Sequence, residues 1–172
     1  MIASTRSFGK PIKVLDQLSE AISNYVARGA EKIRNQNSYA KAIYVFVRTN
    51  RFKEDYYQNS MIHTFTEPTD DTGFMIKTAK QLLEEIYIPN LEYKKAGVVF
   101  LDLIPKNNIQ TTLLPSHIPN EKLMKVMDKL NSDFGKATIF FAAQGVKQEW
   151  QMKSSNRSPR YTTKWNEIIK VS

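Results

Sequence analysis

The nine residues Lys41–Thr49, KAIYVFVRT, decide the fold. Ile43, Val45 and Val47 alternate with Tyr44, Phe46 and Arg48. An extended chain therefore turns three apolar side chains one way and a mixed set the other, as in a strand buried on one face. Upstream, Val14, Leu15, Leu18, Ile22, Tyr25, Val26 and Ile33 recur at three- and four-residue spacing. That is the stripe of an amphipathic helix reaching about Asn35. Gly29 interrupts it at a cost of about 1 kcal/mol relative to Ala, which close packing would offset. Before the helix, Ile2 to Phe8 reads as a short strand closed by Gly9 and Pro11.

Downstream, the polar run 50–59 is turn-like, and Met61 to Thr66 is a strand ended by Pro68. Asp70 or Thr72 caps a second helix whose buried stripe is Met75, Ala79, Leu82, Leu83 and Ile86. Pro89-Asn90 stops it, and Tyr93 to Leu103 (YKKAGVVFLDL) is a fourth strand. The order is βαββαβ. Two helices on one face of a four-stranded sheet is the economical way to bury both stripes, so the expected class is α+β.

The chain has 172 residues and a net charge of +8, and the charge is uneven. Residues 1–115 carry 15 basic and 12 acidic side chains, net +3; residues 116–172 carry 10 and 5, net +5. With Pro115, Ser116 and Pro119 at the join, this suggests domains at 1–104 and 120–172 around a linker at 105–119. The second domain reads as smaller and less regular α+β. A helix spans Glu121 to Leu130 with Leu123, Met124, Met127 and Leu130 inward, a strand spans Lys136 to Ala143, and a basic, aromatic tail begins at Gly145.

No apolar run is long enough to cross a membrane and no signal-peptide stretch opens the chain, so a soluble, cytoplasmic protein is expected. Zero cysteines exclude disulfides, thiolate catalysis and Cys-containing zinc sites. The acid pairs Glu54-Asp55, Asp70-Asp71 and Glu84-Glu85 lie in a loop, at a helix start and late in a helix. Asp70-Asp71 reads as a helix cap favoured by the dipole, and Glu84-Glu85 as a solvated face. His63 and His117 have no Ser or Asp partner at a recognisable spacing, and there is no glycine-rich phosphate loop. No enzyme is expected from this chain, and no cofactor or metal within it.

A basic chain favours an acidic partner, nucleic acid above all. Thr5, Arg6, Ser7 and Gly9 put hydroxyls, a guanidinium and a backbone amide on one strand, the groups that grip phosphates. Lys41, Arg48, Lys94 and Lys95 sit near the ends of the other strands, where they could equally be solubilising charges. Tyr44 and Phe46 admit base stacking, as in an RNA-binding sheet, or simple packing.

Ser4-Thr5-Arg6-Ser7-Phe8-Gly9 opening a βαββαβ unit resembles the start of the little-finger domain of Y-family translesion DNA polymerases. Lys41-Ala42-Ile43 and Ala96-Gly97-Val98 follow in the family's order. Glu149-Trp150-Gln151-Met152-Lys153 and Ser158-Pro159-Arg160-Tyr161-Thr162-Thr163-Lys164-Trp165 are similar to the tail of UmuC-like members. The resemblance implies a C-terminal region, with Met1 an internal start and with the palm carboxylates that bind catalytic magnesium outside this chain. It implies that the little finger lies against primer-template duplex and touches backbone on both strands. Thr5, Arg6, Ser7, Gly9, Arg48, Lys94 and Lys95 would then meet phosphates, as would His63 and Thr64 of the 60–66 strand.

The resemblance also implies a short sliding-clamp-binding peptide after the little finger, at Gln110-Thr111-Thr112-Leu113-Leu114. Gln110 would hydrogen-bond while Leu113 and Leu114 enter an apolar pocket. Thr111 and Leu114 depart from the usual leucine and phenylalanine, and two leucines in a loop can instead be a packing anchor. The basic tail, with Tyr161 and Trp165 interleaved, could bind single-stranded DNA or dock on the parent polymerase, UmuD′ or the RecA filament. Packing of Trp150 and Trp165 in a small core is the competing reading. At the level of function, the alternatives are a protein-docking module without DNA affinity of its own and an RNA-binding sheet.

Overall fold

In the computed structural model, which describes residues 1–108, 117, 119–152 and 158–168, the βαββαβ order is realised. The elements are β1 (Ile2–Ile12), α1 (Leu15–Asn35), β2 (Ser38–Arg48), β3 (Gln58–Thr69), α2 (Thr72–Ile86) and β4 (Tyr93–Pro105). The strands form one antiparallel sheet in the order β1-β4-β2-β3. Each strand-helix-strand unit is therefore split. β4 sits between β1 and β2, and β2 sits between β3 and β4.

β1 and β3 both run longer than their prolines suggest. Pro11 and Pro68 are tolerated because both strands are sheet edges, where a missing N–H need not break a ladder bond. The β1 register slips between Ser7 and Ile12, a bulge that contains Gly9 and Pro11.

The alternation in β2 is realised. Ile43, Val45 and Val47 are fully buried under the helices, while Tyr44, Phe46 and Arg48 are half-buried on the opposite face. Leu18, Ile22, Tyr25, Val26 and Ile33 from α1 and Met75, Ala79, Leu83 and Ile86 from α2 close over Ala96, Val98 and Phe100. Gly29 is a close-approach position, since a Cβ there would overlap the Phe100 ring. Asp71, rather than Asp70 or Thr72, caps α2 by accepting the Phe74 N–H at 3.0 Å. Asp70 pairs instead with Lys106. Val14, expected in the helical stripe, is the exposed residue preceding α1.

Beyond the sheet, the chain from α3 to Trp150 packs against the helices. α3 (Glu121–Asp133) is held at its start and along its length. The Asn120 N–H donates to Asp71 Oδ2 at 3.2 Å, and Arg34 donates to both carboxylate oxygens of Asp128 at 2.5 and 2.7 Å. The Arg34 guanidinium also donates to the Asp70 carbonyl and the Thr72 hydroxyl, so one side chain ties α1, α2 and α3 together. The expected inward stripe of α3 is corrected. Met124 is buried, but Leu123 is 46% exposed, and Met127 and Leu130 are only partly covered.

The expected strand at Lys136–Ala143 is also absent; the segment makes turns and a 3-10 turn at Ala142–Gln144. A strand needs an edge to pair with, and positive φ at Gly135 and Ala137 bends this one before any edge is reached. Trp150 is 5% exposed, but it packs edge-on to Phe8 and Tyr25 of the first core rather than in a core of its own. Trp165, expected to pack beside it, is 91% exposed.

Candidate nucleic-acid interface

The helices cover one face of the sheet and leave the other open. Cross-strand register arranges the open face in rows. Ser7 lies opposite Lys95, Lys95 opposite Arg48, and Arg48 opposite Gln58. The next row is Thr5, Gly97, Phe46 and Ser60, and the third is Ala3, Val99, Tyr44 and Ile62. One end is thus basic and hydrogen-bonding, and the other is apolar.

Lys95 and Arg48 face each other across two central strands, and among the described residues neither has a carboxylate within ion-pair distance. Like charges directly opposed cost about 0.2–1 kcal/mol. A polyanion laid on the row removes that cost and gains two charge-assisted contacts. Ser7 and Gln58 at the row's ends add neutral hydrogen-bonding groups.

The aromatic pair behaves differently from a stacking platform. Tyr44 and Phe46 pack on each other with ring centres 5.8 Å apart. Phe46 lies across Gly97, where a Cβ would come within 2.6 Å of the ring and 2.5 Å of Thr5 Cγ2. Glycine is required there so that the ring can lie flat against the sheet, with one of its faces taken. Both rings are half-buried.

The other expected DNA-contacting residues divide between surfaces. Thr5, Ser7, Arg48, Lys95 and Thr64, the last opposite Ala42, are on the open face. Arg6 and His63 are on the helix side, and Lys94 is engaged with the backbone of β1. Arg6 lies opposite buried Ala96 and His63 opposite buried Ile43, while Lys94 donates to the Phe8 carbonyl at 3.0 Å. The guanidinium of the opening strand therefore does not share a surface with its hydroxyls. Gly9 is passed closely by the backbone of Gln151 and Met152, 3.2 Å from where its Cβ would be. Lys41 is exposed, seven residues along β2 from Arg48. Ser60, the first residue of the expected 60–66 strand, and Gln58, which the sequence did not single out, complete the rows, because register brings them there. Gln110, Leu113 and Leu114 lie outside the described residues.

Of the acid pairs, Asp70-Asp71 is committed to structure, while Glu54-Asp55 and Glu84-Glu85 are exposed. Asp71 serves α2 and α3 and stands 3.5 Å from His117 Nε2, and His117 stacks on Phe74 at 4.3 Å. Among the described residues no group of three His, Cys, Asp or Glu could hold a metal ion, and no helix is long and apolar enough to cross a membrane.

Residues 1–113 match the impB/mucB/samB family C-terminal domain. The chain belongs to that family. Residues 121–171 match a second family model, a domain of unknown function (DUF4113). Among curated impB/mucB/samB relatives, Protein UmuC of Salmonella typhimurium is 38% identical over 99% of this chain and 42% of its own length. Protein ImpB of the same organism is 38% identical over 97% and 40%, and Protein MucB of Escherichia coli 36% over 97% and 40%. The chain therefore spans about two fifths of the relatives it matches, in agreement with the resemblance carried by its opening strand and its two tail motifs.

Solved structures give weaker likenesses. The insertion ternary complex of Dbh DNA polymerase matches with a TM-score of 0.44 and 17% identity, over 56% of this chain and 27% of that one. The complex of the beta-clamp processivity factor and the little finger domain of PolIV matches with a TM-score of 0.42 and 16% identity, over 67% and 98%.

Proposed function

We propose that this chain is the non-catalytic, DNA-holding region of a UmuC-like translesion DNA polymerase acting in SOS repair and mutagenesis. The basic row Ser7–Lys95–Arg48–Gln58 carries the reading, because among the described residues its two cations have no acidic partner and no helix covers their face of the sheet, in a member of the impB/mucB/samB family. Thr5, Ser7 and Thr64 supply neutral hydrogen bonds to the duplex backbone, and Arg48 and Lys95 supply charge. Lys41 adds charge at the far end of β2. Catalysis and its magnesium belong to the parent's palm, outside this chain.

The linker peptide Gln110, Leu113 and Leu114 tethers the region to the sliding clamp. UmuD′ and the RecA filament are candidate partners of the basic tail. The RNA-binding reading is less favoured, since Phe46 spends a ring face on Gly97.

The test is anisotropy of a labelled primer-template duplex titrated with this chain over a salt series. Saturable binding that weakens steeply with salt is expected from counterion release. Absent or salt-indifferent binding would replace the proposal with a protein-docking module. Changing Gln110, Leu113 and Leu114 together to Ala should abolish clamp binding and spare duplex binding; unchanged clamp binding would remove the peptide assignment.

A further inference from the structure

A cleft of about 980 Å³ opens on the helix side of β1, away from the basic row. One wall is the edge of β1 from Ala3 to Arg6, the second is α1 at Asn24, Arg28 and Lys32, and the third is the segment 136–151. β1 is a terminal strand. Among the described residues no backbone hydrogen bond from outside β4 reaches Ile2–Ser7. Its outer edge therefore offers a row of N–H and C=O groups to any extended chain that enters. Four residues at about 3.3 Å each give about 13 Å of edge, enough to pair a short peptide.

The charges around this edge have one dominant sign. Arg6 and Arg28 are near enough to act on each other, and burial first, then the Arg6 charge, lowers the Arg28 pKa. Among the described residues Arg6, Arg28 and Lys32 have no carboxylate within ion-pair distance. Asp128, the acid on the α3 side, has both oxygens engaged by Arg34. Among the described residues lining the cleft, Glu31, which acts on Arg28, is the one acid besides Asp128, set against Arg6, Arg28 and Lys32; the Glu20 carboxylate lies behind Gly145 of the third wall.

The third wall is apolar. Ile139 and Phe140 line the cleft at 40% and 39% exposure, and Val146 stands beside them. They include residues of the expected strand at Lys136–Ala143 that found no edge to pair with.

We propose that this cleft binds an extended peptide of alternating acidic and apolar residues from a partner protein, added as a further strand to the outer edge of β1. Its carboxylates meet Arg6 and Arg28, and its alternate apolar side chains meet Ile139 and Phe140. Strand addition supplies affinity through the backbone and specificity through alternate side chains, which matches an edge with a basic and an apolar wall. Nucleic acid uses the cations but leaves the apolar wall unused, and a duplex presents no backbone donors to the strand.

The probe is a fluorescein-labelled (Glu-Val)4 peptide titrated into the full chain, with binding followed by anisotropy and by backbone amide shifts. Saturable binding is expected, with shifts concentrated at Ala3–Arg6 and at Arg28. The double variant Arg6→Glu/Arg28→Glu should weaken it at least about tenfold, and Arg48→Glu/Lys95→Glu should leave it unchanged. The same peptide N-methylated along one edge should lose binding to the unaltered chain, a comparison that needs no variant to fold. No saturable binding, shifts confined to the open face, or equal binding of the N-methylated peptide each overturns the proposal. Displacement by an eight-nucleotide oligothymidylate with the same shifts at Ala3–Arg6 would make the cleft a nucleic-acid site and overturn it as well.

Discussion

Replacing Arg48 and Lys95 together by Ala tests the basic row at its centre. The two cations are opposite each other in β2 and β4 and have no acidic partner among the described residues, so on duplex DNA each is available to neutralise one phosphate. Each phosphate contact contributes about 0.9 to the slope of log affinity against log salt, so the double variant should lose about 1.8 of that slope. Between about 50 and about 200 mM salt, roughly 0.6 of a decade, the unaltered chain should therefore lose about twelvefold more affinity than the variant.

Anisotropy of the labelled primer-template at four or five salt concentrations reads this directly. Folding stability supplies the control. Removing an opposed like-charge pair should leave stability unchanged or raise it by about 0.2–1 kcal/mol, so lost binding cannot be laid to misfolding. Thr5→Val/Ser7→Ala should weaken binding without changing the slope, because hydroxyls release no counterion. A slope unchanged in the Arg48/Lys95 variant would exclude phosphate contacts by this pair, whatever happened to affinity at one salt concentration.

Three further outcomes are expected. Gly29→Ala drives a methyl into the Phe100 ring and should cost about 1–3 kcal/mol in denaturant unfolding despite better helix propensity; Gly29→Ala with Phe100→Leu should recover most of it. In single-tryptophan variants, Trp150 should emit blue-shifted and resist iodide, while Trp165 should emit near the solvent limit and quench fully; the reverse would place the tail wrongly. Burial pushes the Tyr25 hydroxyl up to about 12, against weaker opposing effects of Arg6 and Arg28. The folded state therefore keeps this proton where the unfolded chain loses it. The contribution is full below about pH 10 and falls by roughly 2–3 kcal/mol as pH rises toward 12. Tyr25→Phe should flatten that part of the stability profile, measured as melting temperature against pH, and a Phe variant with the same alkaline loss would assign it elsewhere.

Periodicity made the first six elements legible. Alternation in KAIYVFVRT and the three- and four-residue stripes of the two helices record burial that one face of a sheet imposes on local sequence. The second part was less legible for the same reason. Lys136–Ala143 carries strand-forming residues, but a strand exists only with an edge to pair with, and that depends on where the chain is led. Leu123, Met127 and Leu130 form a helical stripe, yet α3 is fastened by Arg34–Asp128 and Asn120–Asp71, polar contacts to residues distant in sequence that bury Met124, leave Met127 and Leu130 partly covered and leave Leu123 exposed.

The site divides similarly. Composition and the opening motif determined that the protein is basic, that Thr5, Ser7, Arg48 and Lys95 are candidate phosphate contacts, and that βαββαβ is the order of its elements. Tertiary structure alone decided that Arg48 and Lys95 are neighbours, that Gln58 extends their row, and that Arg6 faces the helices beside Arg28. Alternation tells which residues of one strand share a face. It does not tell which faces of different strands coincide, because that follows from register and strand order, and β4, the last of the four strands in sequence, lies between β1 and β2.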